Sequence, residues 1–334
     1  MLGTGLRLAL FFFFGLLCVR AETKPCTSHD AERRTLLVDG YQREYWLYVP
    51  CSVRPHADLV IMLHGWGRSG EEVARHYGWA TQAEKYGFVV AFPSGLPVRA
   101  DLPVDLPLPA GSFAHSTWHA PNSRGWWTAE QLKAEGDAHH PDDNRFISQL
   151  HAELNRQGIT RTSRIFIAGF SNGAFMAKHF SISHPNEVKG VVAAGYAGDV
   201  FPTRLEHPIP ILQLLGTADN IGAMTAARWQ QMRPLEREYW WGGGLAVPTV
   251  QGDAARWASL DQCHPVATTT QEKWGQALTW SGCAHHVSVQ LYLIDQLGHE
   301  WVGSSESNWK QSHPYGAALD FAAIAANFFE QQQR

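Results

Sequence analysis

Ser171 lies within Gly169-Phe170-Ser171-Asn172-Gly173, a hydroxyl with a glycine two residues away on either side. A serine hydroxyl is a poor nucleophile until a turn lifts it clear, a base takes its proton and donors meet the oxyanion it creates. The flanking sequence suits such a turn. Residues 164–168 form a β-branched and aromatic run that reads as a strand, and residues 174–180 are small and helix-compatible. A sharp strand-to-helix turn crowds Gly169 and Gly173 against neighbouring chain, where a side chain would clash. The helix points its first amides at the reaction centre, and the amide of Asn172 is placed to meet an oxyanion. The bland alternative is an ordinary strand-loop-helix with a capping serine; the strand before and the helix after are the context that the nucleophile reading requires.

The base and its orienter must come from elsewhere in the chain. Histidine suits the base because its pKa lies near neutrality. With 17 histidines the choice rests on position. His299 follows the alternating run at 287–294, on the glycine-flanked stretch Leu297-Gly298-His299-Glu300-Trp301-Val302-Gly303. Asp219 closes Gly216-Thr217-Ala218-Asp219, just past the apolar run at 209–215. Asp219 would hold His299 in the tautomer that accepts the serine proton. Asp295 is a poor rival acid, too close in sequence to His299 to reach around the ring. His64 is the competing histidine, but it precedes the serine turn. Its loop, His64-Gly65-Trp66-Gly67, fits the supply of a second oxyanion amide, from Trp66.

Bulk properties bound the remaining classes. The chain has 334 residues, 45% hydrophobic and 17% charged, which places it among globular chains. A net charge of -4 without any Lys/Arg run argues against nucleic acid as a partner. Residues 1–21 read as a secretory signal peptide, with Arg7 as the positive region, an apolar run at 8–19 and small residues Val19 and Ala21 before the cleavage point. The run is short for a membrane span, so a secreted protein with no membrane partner after cleavage is expected, extracellular or periplasmic. Removal of the signal takes Cys18 and leaves Cys26, Cys51, Cys263 and Cys283. In an exported chain these suggest two disulfides, and sequence proximity favours Cys26–Cys51 and Cys263–Cys283 among the three connectivities. A four-cysteine metal site is the rival, and no close Cys-x-x-Cys pair supports it.

Alternating strands and helices must carry these residues. A hairpin is expected over 34–50 with Asp39-Gly40 as its turn, then buried strands at 57–63 and 87–93. Ser69-Gly70-Glu71-Glu72 forms a capping box for one helix running to about Tyr86. Strands at 188–196 and 209–215, a helix at 254–261, a strand at 287–294 and a closing helix over 316–331 follow. The fold class expected is α/β, a mostly parallel central sheet with helices on both faces in a single domain, 22–334. Residues 93–143 break the rhythm with Pro97, Pro103, Pro107 and Pro109, and carry Trp118, Trp126 and Trp127. So long a loop, leaving the C-terminal edge of a strand, is expected to contact substrate. Asp137 to Asp143 includes His139 and His140 and could suggest a metal. Helix capping by Asp142 and Asp143 ahead of Phe146, Ile147, Leu150 and Leu154 is the better reading, so no metal and no cofactor is expected.

With these motifs in place the chain resembles the secreted serine esterase family that includes polyhydroxybutyrate depolymerases and the feruloyl and acetylxylan esterases. The likeness rests on Leu63-His64-Gly65, on Gly169 to Met176, on Gly216 to Asp219 and on Gly298 to Gly303. Trp257 and Cys263, then Trp280-Ser281-Gly282-Cys283, resemble the family's late disulfide region. The chain departs from it at Leu215, where the family commonly has His, at Val302, where it commonly has Pro, and in enlarged segments at 93–143 and 223–248. The resemblance implies the α/β-hydrolase fold, whose chain order is serine, acid, histidine. It also implies ester hydrolysis through an acyl-enzyme, with Ser171, Asp219 and His299 catalytic. Trp118, Trp126, Trp127 and Trp301 are the expected substrate-binding tryptophans. The expected substrate is a compact feruloyl, acetyl-polysaccharide or short hydroxyacyl ester. A polyhydroxybutyrate depolymerase proper is one alternative; no polymer-binding module is expected after the closing helix, which weighs against it. A carbohydrate-binding protein with a relic triad is another, from a different class. Oligomeric state is left open by the sequence.

Overall fold

The structure is a computed structural model and describes residues 30–97, 116–118, 142–198, 204–219, 249–315 and 319–332. The signal segment at 1–21, Cys26, Trp126, Trp127, His139, His140 and the segment 223–248 lie outside the described residues.

The chain enters through a hairpin of β1 (Glu32–Val38) and β2 (Tyr41–Tyr48), with Val38 opposite Tyr41. Asp39 and Gly40 form its two-residue turn at φ +51° and +84°. Positive φ at both positions matches the right-handed twist of the flanking strands and favours an Asp-Gly pair. The other sheet strands are β3 (Leu59–Leu63), β4 (Val89–Pro93), β7 (Ile165–Phe170), β8 (Val188–Ala194), β9 (Ile211–Gly216), β10 (Thr268–Glu272), β11 (Gly275–Trp280) and β12 (Val289–Ile294). Two short strands, β5 (Leu96–Pro97) and β6 (Ser116–Thr117), pair separately. Among the described residues the main sheet has ten strands in the order β1-β2-β4-β3-β7-β8-β9-β12-β11-β10. Its centre, from β4 to β12, is parallel, and both ends are antiparallel.

Burial on both faces explains the unbroken apolar runs. In β3, Leu59, Ile61 and Leu63 pack into one core while Val60 and Met62 pack into the other. Successive side chains point to opposite faces, so a central strand with helices on both sides has no polar face. The first core is covered by α3 (Asp143–Arg156), α4 (Asn172–Ser183) and α5 (Val250–Leu260), through Phe146, Leu150, Phe175, Phe180 and Trp257. The second is covered by α1 (Gly70–His76), α2 (Trp79–Tyr86) and α7 (Phe321–Gln331), through Val73, Trp79, Phe321 and Phe329. A short α6 (Asn308–Ser312) precedes α7. The fold class is the expected one: an α/β-hydrolase architecture with a mostly parallel sheet.

Several expectations need correction. The helix expected from Ser69 to Tyr86 is two helices. Ser69 and Glu72 form the capping box, but the chain breaks at Gly78, whose φ of +78° is left-handed. Glycine accepts that conformation without steric cost, and the break lets α2 turn towards α7. The closing helix starts at Phe321, later than position 316, because Asp320 caps it by accepting the Ala323 amide. The edge strands β10 and β11 were not expected. All five residues of β10 are exposed, so no alternation marks it. Of the two capping aspartates, Asp142 receives the amides of Asn144 and Arg145. Asp143 is instead buried in an ion pair with Arg43 of β2.

Candidate active site

The strand β7 ends at Phe170 and α4 begins at Asn172, so Ser171 alone turns the chain. Its backbone sits at φ +54°, ψ -118°, a conformation that non-glycine residues rarely adopt. Its amide donates to Ala194 O (2.8 Å) on β8, which pins the turn to the neighbouring strand. Both flanking glycines are sterically required. A Cβ on Gly169 would lie 2.1 Å from Gly173 O, and one on Gly173 would lie 2.3 Å from Leu63 O. Backbone strain at a functional turn persists only where the surroundings over-determine it. Here strand pairing and two glycine contacts do so.

Asp219 and His299 come from the ends of adjacent parallel strands, β9 and β12, and reach the same sheet edge. The two loops are tied together. Ala218 N–H donates to Leu297 O (3.0 Å) and Gln296 N–H donates to Thr217 Oγ1 (2.9 Å). Asp219 Oδ2 lies 2.8 Å from His299 Nδ1, and His299 Nε2 lies 2.8 Å from Ser171 Oγ. The Asp219 side chain is 1% exposed and the His299 side chain 16%. With Nδ1–H donating to the buried carboxylate, Nε2 is left as the acceptor for the serine proton. Asp295 is exposed, and its carbonyl accepts the Trp309 indole proton. The ring of Phe170 lies 4.9 Å from the His299 imidazole and meets Trp301 nearly perpendicularly at 6.4 Å. This aromatic contact was not anticipated, because the position before the serine in a Gly-x-Ser-x-Gly stretch is left unspecified by the motif.

The loop after β3 lies against the serine. A Cβ on Gly65 would be 3.5 Å from Ser171 Cβ, so the Gly65 backbone passes close to the serine side chain. Arg68 N–H donates to Gly65 O (3.2 Å) across a turn in which Gly67 has φ +70°. The imidazole of His64 is fully buried. Its Nδ1 donates to Gly65 O (2.7 Å) and its Nε2 accepts the Gly95 N–H (2.9 Å). Burial drives its pKa down to about 4, so it is neutral at physiological pH. His64 is therefore a fastener for the Trp66 loop, tying it to the chain beyond β4. The Asn172 amide belongs to the first residue of α4, directly after Ser171, and is one of the helix N-terminal amides that have no partner within the helix.

Two expected substrate-binding tryptophans are corrected. Trp118 is 1% exposed. Its indole donates to His64 O (2.8 Å), its own amide donates to Asn172 Oδ1 (3.0 Å) and its ring lies 4.6 Å from His64. It braces the loop and α4 from beneath and offers no face to a substrate. Trp301 is 2% exposed. It stacks on Tyr77 at 4.9 Å and donates to Tyr77 O, anchoring the His299 loop in the second core. A large apolar ring next to a site is buried as readily as it is displayed, and only packing decides which. Cys263 and Cys283 are joined in a disulfide that fastens the end of α5 to the end of β11. Cys51 is also disulfide-bonded, with a partner outside the described residues. Among the described residues no group of three or more His, Cys, Asp or Glu is arranged to hold a metal ion.

Comparison with known proteins agrees with this architecture. Residues 46–227 match the phospholipase/carboxylesterase family, more than half of the chain, and the protein belongs to that family of α/β-hydrolases. It is similar to the bifunctional acetylxylan esterase/xylanase XynS20E of Neocallimastix patriciarum, 21% identical over 60% of this chain. The chain spans 24% of the length of that relative. It is also similar to acyl-protein thioesterase 1 of Eremothecium gossypii, 29% identical over 52% of this chain and 71% of the relative. Among solved structures the acetyl xylan esterase from Aspergillus awamori aligns with a TM-score of 0.52 at 12% identity. That alignment covers 87% of this chain and 100% of the other, and bears on the fold alone.

Proposed function

We propose that the protein is a serine carboxylic ester hydrolase in which Ser171 attacks the ester carbonyl. His299 takes the serine proton and later returns it to the leaving alcohol. Asp219 holds the imidazole in the productive tautomer and stabilises the imidazolium. The amides of Asn172 and Trp66 stabilise the oxyanion, and water then releases the acyl group by the same steps in reverse roles. The observation that carries this reading is the continuous hydrogen-bonded line from Ser171 Oγ through His299 to the buried Asp219 carboxylate, at 2.8 Å for each link.

The substrates are compact acyl esters. Sequence likeness to an acetylxylan esterase/xylanase favours an acetyl group borne on a polysaccharide, and feruloyl-polysaccharide and short hydroxyacyl esters are the alternatives. Export after cleavage behind Ala21, with residues 22–334 as one esterase domain, fits the apolar leader and the Cys263–Cys283 disulfide. The test is a panel of soluble acetyl-sugar, feruloyl, 3-hydroxybutyrate and aryl esters, run with wild type and Ser171→Ala. Ser171→Ala is expected to lose turnover on every ester, down to a background of about 10³-fold over water. Wild-type-like turnover in Ser171→Ala, or a wild type inert on the whole panel, would overturn the reading.

A further inference from the structure

We propose that Glu300 is a positioning residue for His299: its carboxylate closes the loop that presents the imidazole and so sets the rate of the proton-transfer steps. This inference rests on the esterase reading above. The local geometry makes such a device necessary. Glu300 N–H donates to Gly298 O (3.1 Å), so His299 is the central residue of a three-residue turn. A turn that tight has little rigidity of its own and depends on what holds its two ends. The upstream end is held at Leu297, whose carbonyl accepts the Ala218 amide and whose side chain is buried.

The downstream end is held in part by the buried Trp301 and in part by the Glu300 side chain. Glu300 Oε2 accepts the Asn308 N–H (2.8 Å) and Oε1 accepts the Trp309 N–H (3.0 Å). Both oxygens of one carboxylate are thus spent on adjacent backbone amides at the start of α6, a charge-assisted pair of bonds. Trp309 is buried in turn, and its indole N–H donates to Asp295 O (3.0 Å), upstream of the histidine. The stretch from Asp295 to Trp309 is therefore a closed ring with His299 on its rim. The same ring reaches the other side of the site. Glu306 lies 3.2 Å from Arg68 Nη1, and the Arg68 amide closes the turn that carries Trp66. Ser305 N–H also donates to His76 O (3.2 Å) at the end of α1. Releasing the Glu300 clamp leaves the ring without its central tie and lets the imidazole wander from Ser171 Oγ.

Two variants test this. Glu300→Ala removes both acceptors. Glu300→Gln keeps the shape but leaves one amide facing an NH2 group. Active sites are first titrated to completion with a phosphonate, so that turnover is expressed per reactive serine and any loss of folded protein is divided out. The expected result on an aryl acetate is a kcat about tenfold lower for Glu300→Ala and about threefold lower for Glu300→Gln, with KM within about twofold in both. A clamp that merely supports the fold would lower the titre and leave kcat per site unchanged, and that outcome overturns the proposal. So does a loss confined to KM. If Glu300→Ala gives no soluble protein, wild-type kcat per site in Glu300→Gln is enough to overturn it. A wild type that neither turns over nor takes the label would overturn the esterase reading itself, whereas an active wild type with unaffected variants overturns only the role of Glu300.

Discussion

Replacing Asp261 with Asn should stabilise the protein at alkaline pH and not at acid pH. Asp261 follows α5, is fully buried and accepts the Ile209 amide (3.0 Å). Burial raises its pKa from 3.8 to about 7. The sign follows from the proton count. Between those two values the folded state keeps a proton that the unfolded state has lost, so stability falls as pH rises through the window and is flat above about 7. The gap of about three pH units, at about 1.4 kcal/mol each, makes the ionised carboxylate a burden of about 4 kcal/mol above neutrality. Asparagine mimics the protonated acid and can still accept the Ile209 amide through its carbonyl oxygen. The advantage of Asp261→Asn over wild type should therefore grow by about 4 kcal/mol between pH 3 and pH 8. Denaturant unfolding of both proteins across that range measures it, with disulfides intact. A difference that does not change with pH would refute the reasoning.

Three further outcomes follow from the same geometry. In the Asp261→Asn background, the neutral His64 should make stability fall as pH drops from 6.5 towards about 4. There the unfolded imidazole takes a proton that the folded one refuses; a flat denaturant midpoint over that window would contradict it. Asp219→Asn should lower kcat on an aryl acetate by about 10⁴-fold, because the amide favours the wrong His299 tautomer; wild-type turnover would remove Asp219 from its assigned role. Gly173→Ala should cost about 4 kcal/mol or more, since its Cβ would lie 2.3 Å from Leu63 O, and thermal unfolding of the purified variant reads that loss.

The candidate site was legible because each of its three polar residues follows a strand run, apolar before Ser171 and Asp219 and alternating before His299. Strand ends in a parallel sheet gather at one edge, so Ser171, Asp219 and His299 could be brought together from order alone. The hairpin at Asp39-Gly40 and the capping box at Ser69 were legible for the same reason, as local chemistry with a local signal. What failed was non-local or carried no pattern. Gly78 breaks a helix whose apolar spacing continues across it. The exposed β10 has no hydrophobic face to read. Trp118 and Trp301 were assigned to ligand because a sequence does not say which way a ring faces. Both instead spend their indole protons on backbone carbonyls beneath the site. The roles of His64, Glu300 and Phe170 depend on contacts that appear only once distant segments have packed.

The most direct test of the central claim is the mass and location of the adduct formed with an active-site-directed phosphonate. The account expects one adduct per chain, on the peptide containing Ser171, with ester hydrolysis lost in proportion to labelling. It also expects labelling to slow sharply in His299→Ala, because the serine then lacks the base that sits 2.8 Å from its Oγ. An unlabelled protein, or an adduct on another serine while hydrolysis disappears, would contradict it.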